Sequence, residues 1–597
     1  MKRIFSLFLC TVLFACALAL PIGALTPQSG AIANVQDAIG ASLGKDTPGA
    51  AVVLFENGER VMLEGLGYAE ISSRTLVTAD TAFEIGELSG LFVALAAANL
   101  AAEGQLKFTV DITDYLPKDF VEKLNLTYTT TMEDLLFNKA GFEGRSFDLR
   151  FEKGAYCFGS LREALLASVP AQIAAPGTFH SYSAFGIGLA AFVVESIAGV
   201  SYADYVSEQI LKPLGMLNTY IDPNGETAIS KPAKGHKMTA EGQFATAARD
   251  GRSFAGITPA NGAISTAADL AVLLEHLLSD AVPARILSGV WDKGIFSFGV
   301  LGLATQDGAF ALQAQTLYFS ASFAIDQEAG KAALILANVA HSAILAAPAA
   351  ICGVSNVVTV TGESNLPDIE NFEGAYLDAA VERSSFVGLL RAKDCVVSAK
   401  AENDGVFAFG DRKLRQIAPG IFADADGAQD VAVLQVLYSV EGEVIAILRV
   451  DGGALVPVSF LQRSAPATLL YMLLFLGVLY FIVLGGLSAF GHASRLIQGR
   501  RVEPLRFMLP PVLSALFALL LLVQILAGNA WDGSALASFF GAFSVLSLLA
   551  MIVAMISYLF ALLTAFAVRK RMARVVGNSV IFLVLVFLAS YWNLILL

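Results

Sequence analysis

The stretch Phe83–Leu100, FEIGELSGLFVALAAANL, sets a carboxylate and a hydroxyl two positions apart, Glu87 and Ser89, where a strand-like piece gives way to a helical pattern. Such a turn exposes one or two side chains at a helix amino end, where the dipole favours negative charge. Ser89 is placed to cap the helix, and Glu87 reads in two ways. It is either an anion resting on the helix end in a disused pocket, or a group that binds a cation or a peptide amine. A second cluster, His180-Ser181-Tyr182-Ser183, follows a turn at Pro176-Gly177. A serine hydroxyl attacks an acyl carbon only when a base takes its proton and donors hold the oxyanion. Ser89, Ser181 and Ser183 each have another use, a helix cap for the first and loop hydrogen bonding for the other two. His180 is a candidate base, or else a surface or loop histidine. No G-x-S-x-G elbow occurs, and His180, His236, His276, His341 and His492 show no ligand spacing. No CxxC pair offers a metal site, so neither metal nor cofactor is expected.

The elements that must position these groups read as follows. Pro48–Leu54 is a strand, Asn57-Gly58 a tight turn, and a second strand starts at Arg60. A continuous apolar face predicts a helix from about Gly186 to Ile197. A second helix covers Tyr202–Leu211 and stops at Pro213. Ser265 or Thr266 caps a helix with Asp269 near its start. Phe310–Ile325 and Lys331–Asn338 read as a closing hairpin.

Phe83, Ile85, Gly86, Ser89 and Phe92 resemble the frame F-x-I-G-S-x-S/T-K-x-F of the serine β-lactamase and penicillin-binding-protein family, close to its class C β-lactamase and D-alanyl-D-alanine carboxypeptidase branch. In that register the nucleophilic serine falls on Glu87 and the lysine on Gly90. The longest match is Pro176–Thr219, in which Tyr182 keeps the family's catalytic tyrosine while the asparagine two positions on is Ala184. Thr131–Gly141 resembles T-I-R-H-L-L-T-H-T-S-G, with Asn138-Lys139-Ala140 in place of His-Thr-Ser. Asn261–Leu278 resembles G-G-L-x-S-T-A-x-D-L-A, and Gly65–Glu70 resembles a turn of the same family. Counting back from Phe319 and Ser320, the third motif, K/H-x-G, falls on Leu312-Gln313-Ala314. The resemblance implies an antiparallel sheet with a helical subdomain over residues 32–350, the α/β fold of β-lactamases and transpeptidases. It also implies that the acyl-transfer mechanism is absent. A carboxylate at Glu87 would give an unstable anhydride, Gly90 has nothing to titrate, Tyr182 by itself lacks the cation a phenolate needs, and Leu312 cannot bind a carboxylate.

The rest of the chain bounds the setting. Its 597 residues exceed one core, and 56% are hydrophobic with a mean hydropathy of +0.64, which calls for membrane segments. A net charge of −13 argues against nucleic acid as a partner. Residues 1–24 read as a secretory signal: Lys2 and Arg3, an apolar run, and small residues before a cleavage site. Leu13–Cys16 faintly resembles a lipoprotein box, and an uncleaved anchor helix is the other alternative. Cys157, Cys352 and Cys395 read as small buried hydrophobes. Residues 366–463 show short alternating strands with turns at Glu402–Gly405, Ala425–Gly427, Glu441-Gly442 and Asp451–Gly453, a small all-β barrel or sandwich. With Phe372–Tyr376 it resembles the lipocalin-like domain of β-lactamase-related proteins. Residues 467–597 hold four apolar stretches, Ala467–Ala489, Met508–Ala527, Ala542–Ala567 and Asn578–Leu596. Basic residues crowd the loops after the first and third, and the loop between carries only Asp532, so the positive-inside rule sets everything before residue 466 outside the cytoplasm. No stretch as drawn carries an ionisable residue of the kind that marks a transport pathway.

The sequence thus predicts an exported, multi-pass membrane-anchored protein whose β-lactamase-like site has lost its chemistry and serves as a binding or scaffold module at the cell surface. Its expected partners are the membrane and either cell-wall peptide or another membrane protein. The alternative is an active serine hydrolase (a cell-wall peptidase, β-lactamase-like enzyme or esterase) with a displaced nucleophile. A third reading gives the membrane bundle its own activity, with the exported part as receptor.

Overall fold

The computed structural model describes residue 37 and residues 39–594, apart from 125, 145–149, 152–157, 168, 222–228, 248–250, 280–289, 301, 305–308, 355–357, 361, 363–365, 367, 384–387, 390–391, 393, 403–405, 428–429, 451, 503, 531–533, 569–571 and 593. The signal, Cys157, the turn at residues 403–405, Asp532 and the basic loop at 569–571 lie outside the described residues. Two compact units divide the chain: Met1–Val381 with Val397–Pro457, and Glu382–Val396 with Val458–Leu597.

In the first unit Gly49–Glu56 is apolar almost throughout because both its faces are covered. Ala51, Val53 and Phe55 enter the main helical core, while Ala50, Val52 and Leu54 enter a smaller cluster under Ala347–Ile351. The strand therefore shows no polar alternation, as expected of a doubly buried strand. It pairs antiparallel with Lys331–Ala337 on one side and Glu59–Glu70 on the other, inside a nine-stranded sheet. Asn57 (φ +52°) and Gly58 (φ +78°) make the two-residue turn that the Asn-Gly pair predicts. Beyond Lys331–Ala337 the sheet continues through Ser320–Asp326 and Phe310–Gln315, with Ala314 opposite Ala321. The main core holds the Gly90–Ala102, Ala184–Ala198 and Ala267–Leu278 helices. Thr266, not Ser265, caps the last, accepting from Asp269 N at 3.1 Å. Burial pushes the Asp269 carboxyl above the ordinary aspartate value against donors from Thr219 and Asn218. Cys352 behaves as the small hydrophobe expected, its thiol pushed up to about 12 by burial.

Eight strands from Gly374–Asp378 to Ala454–Pro457 form a closed barrel, the first pairing with the last. Phe372, Phe407, Phe409 and Phe422 fill it, with Phe407 and Phe422 stacked at 5.1 Å, so the interior is a packed core. The barrel, in this same first unit, shares a second apolar cluster with Phe179, Phe296 and Phe298. Ile295 N donates to Gln435 Oε1 at 2.7 Å, and a Cβ on Gly294 would lie 1.9 Å from that oxygen.

Among the described residues of the second unit four helices are long and apolar enough to cross a membrane: Ser464–Ile497, Leu505–Leu526, Phe543–Phe566 and Met572–Tyr591. The fourth starts six residues before the expected Asn578, because Arg574 at a helix end ends an apolar run without breaking a helix. A Cβ on Gly485 would lie 2.3 Å from Ala515 Cβ, so the first two helices cross at backbone distance. Gln524 Nε2 donates to Ser547 Oγ at 2.7 Å, and Tyr480 Oη to Asn578 Oδ1 at 2.9 Å.

One buried imidazole makes the sheet edge pH-sensitive. His236 N donates to Asn338 O at 3.0 Å, and its Nε2 accepts from Ile71 N at 3.4 Å, which requires an unprotonated Nε2. Burial lowers this histidine below its ordinary value, opposed by the Asn338 carbonyl and the charge on Glu70. The native state thus prefers the neutral ring; that contribution is complete above the unfolded pKa of about 6.5 and is lost as pH falls through the lower folded value. Guanidinium midpoints of the full chain should fall more steeply between about pH 7 and pH 5 for wild type than for His236→Gln. Equal slopes would remove His236 from the response.

Candidate functional site

The Gly86–Ser89 segment forms a 3-10 turn leading into the Gly90–Ala102 helix. Gly86 has φ +55°, and a Cβ there would lie 3.2 Å from both Ala314 Cβ and Gln315 N, so the turn rests directly on the Phe310–Gln315 strand. Glu87 is half-buried, and its Oε2 accepts from Gln315 N at 2.8 Å. That amide lies past the end of the pairing with Leu303–Ala304, so the ladder on that side does not consume it. Three residues earlier the strand Ala82–Glu84 buries a second carboxylate, Glu84, which accepts from Ser253 N at 2.7 Å and Ser253 Oγ at 2.6 Å.

Ser89 does not cap the helix. The 3-10 turn before it already fixes helical backbone angles (φ −52°, ψ −34°), and its buried hydroxyl turns back. It donates to Gly86 O at 2.6 Å and accepts from Ala263 N at 2.9 Å. Its single proton is therefore committed to a carbonyl. The Thr258–Asn261 turn stands on the other side and accepts, through Ala260 O, from Tyr182 Oη at 3.2 Å.

Ser183 is a helix cap: its Oγ accepts from Gly186 N at 3.1 Å, and the helix starts at Ala184, two residues before the expected Gly186. Ala184 is thereby a buried first-turn residue with no polar group. For Ser181 the amide, not the hydroxyl, makes the loop bond, donating to Asn138 O at 2.8 Å. The Ser181 Oγ is buried and bonds to none of the described residues. His180 is a loop residue, one of the expected alternatives, but it is not at the surface. It is buried, stacked on Phe298 at 4.4 Å, with Nδ1 2.7 Å from Gly452 O in the barrel. Since a carbonyl only accepts, Nδ1 carries the proton.

On the third-motif strand Leu312 is 7% exposed and faces the main core, beside Ala314 on the same face. Gln313 points the other way and donates to Leu345 O at 3.1 Å. Lys139, the residue in place of the family's threonine, is buried against Glu133 at 2.5 Å and sits 5.5 Å from the Trp291 ring centre. The structure thus gathers Glu87, Gly86, Ala314 and Gln315 at one point, sets Ser89 and Tyr182 against the 260–263 segment, and joins His180 to Phe298 and the barrel. Sequence reasoning missed Gln315 and Ala263, whose backbone amides carry no side-chain signature. Among the described residues no group of three or more His, Cys, Asp or Glu could hold a metal.

An anion here occupies a backbone donor of the kind that would stabilise an oxyanion, while among the described residues none of the Ser89, Ser181 and Ser183 hydroxyls hydrogen-bonds a base. Ser89→Ala should cost about 1–3 kcal/mol, because the Ala263 N–H is left without its acceptor. Ser183→Ala should cost about 0.5–2 kcal/mol as a lost cap. Chemical denaturation checks both; an undiminished Ser89→Ala midpoint would mean that the hydroxyl is not structural.

Comparison with known proteins bears on the family and the fold. The chain is 25% identical to protein flp of Staphylococcus aureus (strain MRSA252) over 179 residues, 30% of this chain and 35% of that protein. It is 28% identical to penicillin-binding protein 4 of Amycolatopsis lactamdurans over 169 residues, 28% of this chain and 43% of the other. The matches thus span less than half the length of these relatives. Among solved structures, SurE aligns with a TM-score of 0.54 at 18% identity, covering 72% of this chain and 98% of that one, a likeness of fold. A class C beta-lactamase from Rhodobacter sphaeroides aligns with a TM-score of 0.43 at 22% identity, over 54% of this chain and 97% of that one. The family model described as Beta-lactamase matches residues 34–351, more than half of the 597, and the chain belongs to that family.

Proposed function

We propose that this protein is a membrane-anchored, catalytically silent member of the Beta-lactamase family whose exported part acts as a binding or scaffold module at the cell surface. The observation that carries the reading is the Glu87 carboxylate on Gln315 N–H. At the position matching the nucleophile it supplies no leaving proton for attack, and it fills a donor that an acyl intermediate would need. Gly90, Ala184 and Leu312 supply no cation or amide at the other matching positions. The half-exposed Glu87 favours a partner with an amine, such as a cell-wall peptide or a segment of another membrane protein. The basic residues Arg495, Arg500, Arg501 and Arg506, at and between the facing ends of the first two membrane-length helices, support an orientation with the β-lactamase-like part outside.

Full-length protein in detergent, treated with a fluorescent penicillin, should carry no covalent label. Glu87→Ser should stay unlabelled too, because Gly90 offers no amine to activate the new hydroxyl. Covalent labelling that disappears in Ser89→Ala or Ser181→Ala would overturn the reading in favour of a displaced nucleophile. In intact cells stripped of their wall, external protease should remove the β-lactamase-like part and leave the helices; full protection would reverse the orientation.

A further inference from the structure

Residues 459–463 lead into the membrane-length helices at the end away from Arg495 and Arg574. Phe460–Gln462 is a 3-10 turn that runs straight into the first helix, where Ala467 N donates to Arg463 O at 2.9 Å. The turn closes on itself: Ser459 N donates to Gln462 Oε1 and Gln462 N to Ser459 O, both at 3.0 Å. The fourth helix fastens it from the side, Tyr591 Oη donating to Leu461 O at 2.8 Å. A segment tied at these points is a seat, not a loose tether for the chain before it.

What the seat presents is apolar. Phe460 is 66% exposed, and Leu461 beside it is exposed as well. Apolar residues scattered singly on a surface need no explanation. These two adjoin the first helix, whose exposed Leu469, Met472 and Leu476 belong to a stretch apolar enough to cross a membrane. The Arg463 guanidinium lies 5.8 Å from the centre of the Phe460 ring. An arginine over an aromatic ring suits a boundary that is apolar on one side and wet on the other. At the same end of the bundle Tyr471 meets Trp592 edge to face at 5.6 Å, and Tyr and Trp gather at the headgroup level of membrane spans.

We propose that residues 459–463 are an anchor at the membrane interface, with Phe460 and Leu461 in the boundary between headgroups and acyl chains and Arg463 on the lipid phosphates. Continuity with the first helix selects lipid over a protein partner as the cover of this turn. The guanidinium fork matches phosphate oxygens in geometry and charge. The inference rests on reading the four helices as membrane spans, and the experiment separates the two.

The test uses the full chain in phosphatidylcholine nanodiscs, with part of the lipid brominated either near the headgroup or near the chain end. The added emission of Phe460→Trp is compared with that of Leu476→Trp and of Val440→Trp, a fully exposed turn residue of the barrel. Phe460→Trp should lose at least about twofold more emission to the lipid brominated near the headgroup than to the other, and little to aqueous acrylamide. Leu476→Trp, deeper along the first helix, should show the reverse order of the two lipids. Val440→Trp should respond to acrylamide alone. Circular dichroism checks that each variant is folded, and Leu461→Trp takes the place of Phe460→Trp if that one is not. Absence of lipid quenching at Leu476→Trp would overturn the membrane spans themselves. Lipid quenching there, with Phe460→Trp behaving like Val440→Trp, would overturn the anchor alone. Shielding of Phe460→Trp from both quenchers would set a second copy of the chain on the turn and overturn the lipid assignment.

Discussion

A carboxylate at the amino end of a buried helix must find a donor, and Glu87 finds the amide of Gln315 at 2.8 Å. This one contact joins the helical core to the sheet at the position where a member of this family would carry out its chemistry. A hydrogen bond to a charged group contributes roughly 1.5–3 kcal/mol, about twice a neutral one. Two further hydroxyls pull in the same sense: Ser89 fastens the turn to Ala263, and Tyr182 fastens the opposite loop to Ala260. Gly86 lets the turn lie against Ala314 with no side chain between. The groups that would otherwise face a substrate hold the cleft walls together instead.

Much of this was legible in the sequence, because motif frames are set by packing as well as by chemistry. Phe83, Ile85 and Phe92 are almost wholly buried, and they fix the register that sets Glu87 and Gly90 at the altered positions. What the sequence concealed was backbone. Nothing in the letters around Ser89 distinguishes an N-cap from a 3-10 turn whose hydroxyl folds back, since both begin with a serine before an apolar helix. Nor does FALQAQ announce that Gln315 presents its amide past the end of a ladder.

His180 shows the other limit, which is distance along the chain. Its neighbours Ser181 and Tyr182 suggested a place in the cleft, yet its ring is held by Gly452, 272 residues on. The barrel makes that contact from outside the family's matched region, with an interior packed by phenylalanines and a surface that shares Phe296 and Phe298 with the sheet's far strands. It therefore works as a buttress, and a local reading of residues 176–184 had no means of seeing it. The start of the fourth membrane-length helix was misplaced for a related reason: hydropathy follows side chains, whereas the helix itself continues through Arg574 to Met572.

The pattern of replacements follows from the energetics of buried polar networks. Taking one member from such a network leaves the others unsatisfied, at about 1–3 kcal/mol each, while replacing the members together with apolar groups can be nearly neutral. Here Gly90, Ala184 and Leu312 stand together at the altered positions, all of them buried. The polar groups that stay have mostly found new partners: Glu87 the Gln315 amide, Ser183 the helix end, Lys139 the Glu133 carboxylate. Ser181 Oγ and Asn138 Nδ2 are buried without a hydrogen bond among the described residues; Ser181 is on the loop that carries Tyr182, and Asn138 holds that loop through Ser181 N. Changing several members of such a network together is the route that costs the fold least.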